Sequence, residues 1–431
     1  MTAAAELRPA SAVRLLSGLG HGDRPVSYAE HVHRYGPLPP RRGAAADVGL
    51  IEMVERSGLL GRGGAGFPTG RKLRAVAAGG RRPVLVANGV EGEPVARKDA
   101  LLLARLPHLV LDGMVLAARA IGAVDGYLCV HSGASCLPAL RRALAERDDA
   151  ADGVRIGIDE VPHRYVSSEK SALVNWLEGG AAVPRFSPPA PHERGVDNRP
   201  TLIQNVETLA NLALIARHGV HWFRSVGDPA EPGSLLVTVA GAAARPGVVE
   251  VASGTPIGEV LALAGAEPRE LSAVLVGGYF GGWLPVDEAL PVPLSHAALR
   301  SVGLGLGAGI LVALPATACG LVETARVARY LADESAGQCG PCRNGLPAIA
   351  GALAAVAAGE PGSAHAIAAI DRWSSLVDGR GACRLPDGAV RFVGSAWRAF
   401  ATDVTRHTRW GPCDGVHRRP VLPIPDAGRT R

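Results

Sequence analysis

The stretch Gly61-Arg62-Gly63-Gly64-Ala65-Gly66-Phe67-Pro68-Thr69-Gly70 constrains this chain more than any other. Glycines at that density neither hold a helix nor pack a strand. They build a loop whose backbone N–H groups can close on an anion, most simply a phosphate. Arg62 and Lys72 stand ready to add charge-assisted contacts, and Phe67 can stack on a planar ring. The pattern G-x-G-x-x-G at Gly61, Gly63 and Gly66 is weak by itself. A helix rather than a strand is expected before it, which argues against an ordinary dinucleotide fingerprint. The plainer reading is a flexible loop, but loops seldom combine so many glycines with aromatic and basic residues.

Composition sharpens this. The basic residues are nearly all Arg; Lys occurs only at Lys72, Lys98 and Lys170, so each suggests a particular use. The net charge of +5 is spread among interspersed acids and bases. No basic block or aromatic-studded basic stripe appears, which excludes nucleic acid as the expected partner and leaves an acidic protein surface. The first twenty residues lack the apolar core of a signal peptide, and the uncharged run Ser301 to Val322 reads as a buried strand plus loop rather than a membrane span. Seven cysteines without an export signal argue for metal or redox chemistry, not a disulfide framework. The expected location is the cytoplasm, with contact to a membrane only through a complex.

Along the chain, residues 1–46 read as a loosely ordered arm, ending in the proline-rich Pro37-Leu38-Pro39-Pro40. Residues 47–225 alternate helical and strand patterns, with strands at Pro83–Ala87 and Gly126–His131 and a helix over Leu101–Ile121 broken near Pro107. Residues 226–315 turn β-rich, with Leu235–Gly241 and Gly247–Val251 joined at Arg245-Pro246-Gly247 and a helix at Ile257–Leu263. Residues 316–410 read as a helical bundle with Val327, Tyr330 and Leu331 on one face and Val393, Trp397, Phe400 and Val404 on another. Residues 411–431 read as an extended tail. The fold class expected is α/β: a Rossmann-like domain, a small α+β module and a helical bundle.

Several collinear segments resemble the flavoprotein (F-type) subunit of respiratory complex I and the diaphorase subunits of hydrogenases and formate dehydrogenases. The glycine loop through Lys72 is similar to that family's flavin and nicotinamide loop. Asn88-Gly89-Val90-Glu91-Gly92-Glu93-Pro94, with Lys98-Asp99 behind it, resembles N-A-D-E-G-E-P. Ser168-Glu169-Lys170-Ser171-Ala172-Leu173 resembles G-E-E-T-A-L, and Arg199–Ala210 resembles K-P-T-x-I-N-N-V-E-T-L-A. The β-rich module resembles the family's ubiquitin-like (SLBB) insert. Glu334-Ser335-Ala336-Gly337-Gln338-Cys339-Gly340-Pro341-Cys342-Arg343 resembles E-S-C-G-Q-C-x-P-C-R.

The resemblance implies FMN held by Gly61, Arg62, Gly63, Lys72, Asn88, Gln204, Asn205 and Thr208, with Glu91, Ser168 and Glu169 close by. It implies a nicotinamide nucleotide, NADH or NADPH, beside Gly64, Ala65, Gly66, Phe67 and Glu93. It implies an iron–sulfur cluster on Cys339, Cys342 and Cys383, and a thioredoxin-like 2Fe–2S subunit or a ferredoxin as partner. This chain departs from the family pattern in both sites. Val90 replaces an Asp and Gln204 an Asn, where a lost hydrogen bond costs about 1 kcal/mol. Positions aligned with adenine-stacking aromatics are Ala75 and Ala190, and a Lys before Pro-Pro is Ser187. Lys170 replaces a Glu and has three readings: contact with a 2′-phosphate, stabilisation of reduced flavin, or, ranked first, pairing with Glu169 or Glu93. Ala336 replaces the first cluster Cys, which leaves three thiolates where a cubane takes four. A cluster lacking one iron, a substitute ligand such as Ser335, zinc, or no metal all remain open, with Cys413 a remote candidate ligand. Cys129, Cys136 and Cys319 read as packing residues.

The leading expectation is an FMN-dependent oxidoreductase moving electrons from NAD(P)H through flavin to an iron–sulfur centre and a partner. The alternatives are a flavin-carrying chain fed by ferredoxin, with a vestigial nucleotide site, or a non-catalytic assembly subunit.

Overall fold

Four parallel strands form the first sheet: β1 (Val84–Asn88), β2 (Asp125–His131), β3 (Arg155–Val161) and β4 (Thr201–Asn205), in the order β3-β2-β1-β4. They belong to a computed structural model that describes residues 13–19, 22–39, 44–148, 152–186 and 189–425. Side chains alternate between two buried faces, as a covered parallel sheet requires. Leu85, Ala87, Leu128, Val130 and Leu202 pack into one cluster with the helices Pro107–Ile121 and Val206–Arg224. Val84, Val86, Cys129, Val161 and Ile203 face the opposite way, onto Leu173 and Val174 of the helix Lys170–Leu177. The chain runs from β1 through β2 to β3 on one side, then returns to β4 on the other. Strand order therefore reverses between β1 and β4, whose carboxyl ends pair in register at Asn88 and Asn205. Open α/β sheets bind ligands at such a reversal.

After a two-residue ribbon (β5, Gly227–Asp228; β6, Glu231–Pro232) comes a five-stranded sheet. It contains β7 (Ser234–Gly241), β8 (Gly247–Ala252), β9 (Leu271–Val276), β10 (Gly282–Pro285) and β11 (Ile310–Pro315), in the order β10-β9-β11-β7-β8. The pair β7 and β11 is parallel and the others are antiparallel. One helix, Ile257–Leu263, buries Ile257, Val260 and Leu261 against Val237, Val249 and Leu311. This is the expected small α+β module, with Arg245-Pro246 in the β7–β8 connection.

Five helices of ten residues or more follow: Gly320–Asp333, Leu346–Ala358, Ser363–Val377, Leu385–Ala399 and Ala401–Trp410. Val327, Leu331, Ile370, Val377, Val393 and Phe400 meet in one cluster, so the anticipated helical faces point inward.

The break expected near Pro107 is present: the helical stretch over Leu101–Ile121 is two helices, Lys98–Arg105 and Pro107–Ile121, bent by 96°. Pro107 has no N–H to give and begins the second helix. Among the described residues no single helix is long and apolar enough to cross a membrane. The arm expected to be loose is docked where it is described. Ser27 and Glu30 form a capping box on the helix Tyr28–Tyr35. The N–H groups of Leu15 and Leu16 donate to the Glu250 carboxylate at 2.9 and 2.8 Å. The tail is likewise tied down, because Val421 and Leu422 donate to Glu323 and the Tyr279 hydroxyl donates to Pro423 O. Residues 1–12 and 426–431 lie outside the described residues.

Candidate active site

The loop Gly61–Gly66 is closed at its base. An isolated bridge joins Leu60 to Pro68, and the N–H of Gly61 donates to Phe67 O at 2.9 Å. Gly64 and Gly66 have φ of +107° and +61°, conformations that other residues adopt only with strain. A Cβ on Gly63 would stand 3.2 Å from Asn205 Cβ, so glycine there lets the loop lie on the end of β4. From above, the loop covers a cavity of about 600 Å³ that opens at the carboxyl ends of β1 and β4. Every candidate flavin and nucleotide residue named from the sequence borders this cavity, and so do all three lysines of the chain.

Their side chains differ in what they leave free. Gln204 is 5 % exposed, and its Nε2 has no hydrogen-bond partner among the described residues. A buried amide donor without a partner costs about 1–3 kcal/mol, so it is a polar group waiting for a ligand acceptor. The Lys72 ammonium donates to Ile203 O, and burial, then the charge of Lys170, push it down to about 8. Asn205 is a positioning residue: its Oδ1 caps the helix Val206–Arg224 through Glu207 N, and its Nδ2 donates to Asp99 at 2.6 Å. Asn88 ties the end of β1 to Ser168 O at 2.9 Å and to Val90 N at 3.1 Å. Val90 itself points into the apolar cluster under the sheet.

Arg62 departs from the expectation of a phosphate contact. Its guanidinium donates to Ser234 O at 3.0 Å and faces Glu207 at 3.9 Å, while its backbone N–H donates to Thr208 Oγ1. It anchors the loop to the second sheet. Lys98, almost fully buried, joins the same anchor through Asp99 at 2.8 Å and Glu207 at 2.9 Å. Burial opposes its charge, but the two carboxylates raise its pKa well above the ordinary range.

Three acids are committed to hydrogen bonds. Glu91 accepts from Asp99 N and Ala100 N, and burial with Asp99 beside it raises its pKa to about 7. Glu93 accepts from the Tyr165 hydroxyl at 2.6 Å and from Tyr279 N; burial lifts it to about 7 against those bonds. Glu169 caps the helix Lys170–Leu177 through Ser171 N and Ala172 N. Lys170, expected to pair with Glu169 or Glu93, makes no ion pair among the described residues and stands exposed at the rim, because both acids are already engaged. Phe67 also lies at the rim, 52 % exposed. Ala75 is exposed on the helix Thr69–Ala77, and neither it nor Ala190 borders the cavity; Ser187 lies outside the described residues.

Tyr165, Phe280, Gly277, Gly305 and Gly307 also line the cavity and were not anticipated. A signal for Gly305 and Gly307 was present in the alternate glycines of 303–309, inside the run read as a buried strand plus loop. Tyr165 N donates to Glu334 at 2.8 Å, which links the cavity to the cysteine segment.

Cys339, Cys342 and Cys383 come together beside the cavity. Burial, then the neighbouring Cys339 and Cys383, push the Cys342 thiol up to about 12, against a hydrogen bond from Ser335. Cys383 borders the cavity itself and is raised by burial, with Glu169 and Cys339 among its neighbours. Burial disfavours the thiolates of Cys342 and Cys383 in the absence of a cation, which suits a group that supplies positive charge. Cys413 is not with them; it lies beside Cys319 and His407.

Residues 54–214 match the family model described as the Nuo51 FMN-binding domain. Residues 236–274 match the SLBB domain, and 323–407 match the NADH-ubiquinone oxidoreductase-F iron-sulfur binding region. An F-type subunit of the NADH-quinone oxidoreductase of Rhizobium meliloti, the one numbered 2, is 32 % identical over 84 % of this chain and 90 % of its own length. The chain belongs to the family of F-type NADH-quinone oxidoreductase subunits. Family similarity extends almost end to end in Streptomyces coelicolor, whose F-type subunit is 31 % identical over 96 % of both chains. Among solved structures, an NAD+-reducing [NiFe]-hydrogenase in the H2-reduced state shares the fold of this family member. It matches with a TM-score of 0.82 at 30 % identity, over 95 % of this chain and 68 % of that one.

Proposed function

We propose that this protein is an FMN-dependent oxidoreductase of the NADH dehydrogenase type, passing electrons from NADH or NADPH to an iron–sulfur centre and an electron-transfer partner. One observation carries the reading: Cys383 borders the cavity that the glycine loop covers, so flavin site and thiol cluster share a wall. The donors available fit FMN. Unpartnered Gln204 Nε2 offers a hydrogen bond, Lys72 offers a charge near the loop, and the loop offers backbone N–H groups to a phosphate. Bound FMN would supply the two-electron to one-electron conversion. Thr208 holds the loop in place through Arg62 N, Asn205 caps the adjoining helix, and Phe67 offers a face to the nucleotide at the open side.

Cys339, Cys342 and Cys383 would hold the iron–sulfur cluster, and the Ser335 hydroxyl, hydrogen-bonded to Cys342, is a candidate to replace the thiol missing at Ala336. The finer partner assignment, a thioredoxin-like 2Fe–2S subunit or a ferredoxin, follows from the family resemblance, as does a cytoplasmic location.

A second reading keeps the flavin and takes electrons from a reduced ferredoxin. The loss of aromatic platforms at Ala75 and Ala190 favours it. Anaerobic reconstitution with FMN, iron and sulfide, followed by spectra after NADH, NADPH or reduced ferredoxin, separates the two. Bleaching of the flavin by a nucleotide supports the first reading. Bleaching by ferredoxin alone supports the second, and no flavin colour at all overturns both.

A further inference from the structure

Three donor side chains from separate parts of the helical region converge away from the flavin cavity. Cys319 precedes the helix Gly320–Asp333, His407 lies in the helix Ala401–Trp410, and Cys413 sits in the tail. Their ligand atoms all lie within 4.8 Å of one another, and Cys319 Sγ is 3.8 Å from His407 Nε2. Both cysteines are free thiols.

The surroundings are shaped around these atoms. His407 is 1 % exposed, and its Nδ1 is 2.9 Å from Ala357 O. That contact places the proton on Nδ1 and leaves the Nε2 lone pair facing the two sulfurs, the orientation that metal-binding histidines receive from a carbonyl behind them. In the absence of a cation, Nε2 accepts the N–H of Cys413 at 3.1 Å. Burial pushes the Cys319 thiol up to about 12, with Cys413 adding to the shift and the N–H groups of Val322 and Leu321 opposing it. Two glycines permit the convergence. A Cβ on Gly415 would meet Cys319 N at 2.7 Å, and one on Gly359 (φ +64°) would meet Pro412 Cδ at 2.9 Å.

We propose that Cys319, His407 and Cys413 form a zinc site, separate from the cluster cysteines, that fastens the tail to the helical domain. The donor set is that of borderline-soft divalent zinc, for which three protein ligands and a water make an established arrangement. The spacing agrees. Zn–S of about 2.3 Å and Zn–N of about 2.0 Å at a tetrahedral angle put sulfur and nitrogen about 3.5 Å apart. A disulfide would use the same sulfurs but would make no use of the imidazole, whose Nε2 lies 3.8 Å from Cys319 Sγ. The cation displaces the thiol protons, and the Cys413 N–H then turns from the imidazole to a thiolate. The tail beyond, held at Val421 and Leu422 by Glu323, is secured at both ends.

The full chain is prepared anaerobically with FMN bound and dialysed against EDTA. Its zinc is measured by elemental analysis and its coordination by zinc K-edge absorption. Expected is about one zinc per chain, with two sulfurs near 2.3 Å and one imidazole nitrogen near 2.0 Å. Cys413→Ser, on the half-buried tail, lowers retained zinc at least about tenfold while FMN still binds, and Cys339→Ser does not lower it. Zinc with three sulfurs and no imidazole, or zinc lost in Cys339→Ser but kept in Cys413→Ser, assigns the ion to the other thiols and overturns the proposal. So does a chain without zinc whose two thiols are alkylated freely or are found as a Cys319–Cys413 disulfide.

Discussion

The floor and the rim of the flavin cavity have been treated differently. At the floor, each group that shapes the loop is fixed by more than one bond. Arg62 N meets Thr208, its guanidinium meets Ser234 O and Glu207, and Lys98 meets Asp99 and Glu207. Among the described residues, Gln204 Nε2, Arg62 Nε, the remaining donors of Lys72 and the loop N–H groups are what the floor leaves for a ligand. At the rim, Phe67 is half exposed and Lys170 makes no ion pair among the described residues, while Ala75, aligned with a family aromatic, lies off the cavity. A rigid floor with few open donors specifies one ligand end; an open rim with one ring and one loose charge specifies far less. On the proposed reading, the comparison predicts that flavin recognition and nucleotide recognition are separable in this chain.

The largest break in that comparison is Gly63→Val. The added side chain starts 3.2 Å from Asn205 Cβ and lies between loop and strand end. FMN affinity should fall by more than about a hundredfold while circular dichroism stays native, because overpacking and lost N–H contacts combine. An unchanged dissociation constant would remove the loop from the phosphate site.

Lys72→Met comes next, with a loss of about ten- to a hundredfold, the range for a charged hydrogen bond. The pH dependence fixes the sign. Burial holds Lys72 at about 8, so its ammonium is present below that pH and is lost as pH rises through it. The FMN phosphate is already a dianion there, with its second pKa about 6. Affinity in the parent chain should therefore fall between about pH 7 and 9, and in Lys72→Met it should stay flat. A parent chain without that fall contradicts the assignment.

Lys170→Glu sharpens the rim. FMN binding should change by less than about twofold, since Lys170 makes no bond at the floor, whereas the ratio of NADPH to NADH reduction rates should fall about tenfold. An unaltered ratio would place Lys170 beyond the nucleotide's reach.

The floor was legible in the sequence because its chemistry is local. Glycines 61–66 and the segments at Asn88 and Gln204–Thr208 each announce a backbone conformation, and β1 and β4 merely bring them side by side. What was not legible depended on long-range competition. Nothing near Arg62 says that Ser234 O and Glu207 will take its guanidinium, and Glu169 looked available to Lys170 until it became a helix cap. Cys319 read as a packing residue and is buried in the core, but its approach to His407, 88 positions away, was not legible for the same reason. The docked arm was missed because its partner, Glu250, lies in the second sheet.

The most direct test compares FMN with riboflavin by flavin-fluorescence titration of the cofactor-free full chain. A phosphate held by the loop and Lys72 requires FMN to bind at least about a hundredfold more tightly, the equivalent of about 2.7 kcal/mol. Equal affinities, or no binding of either, would contradict the account.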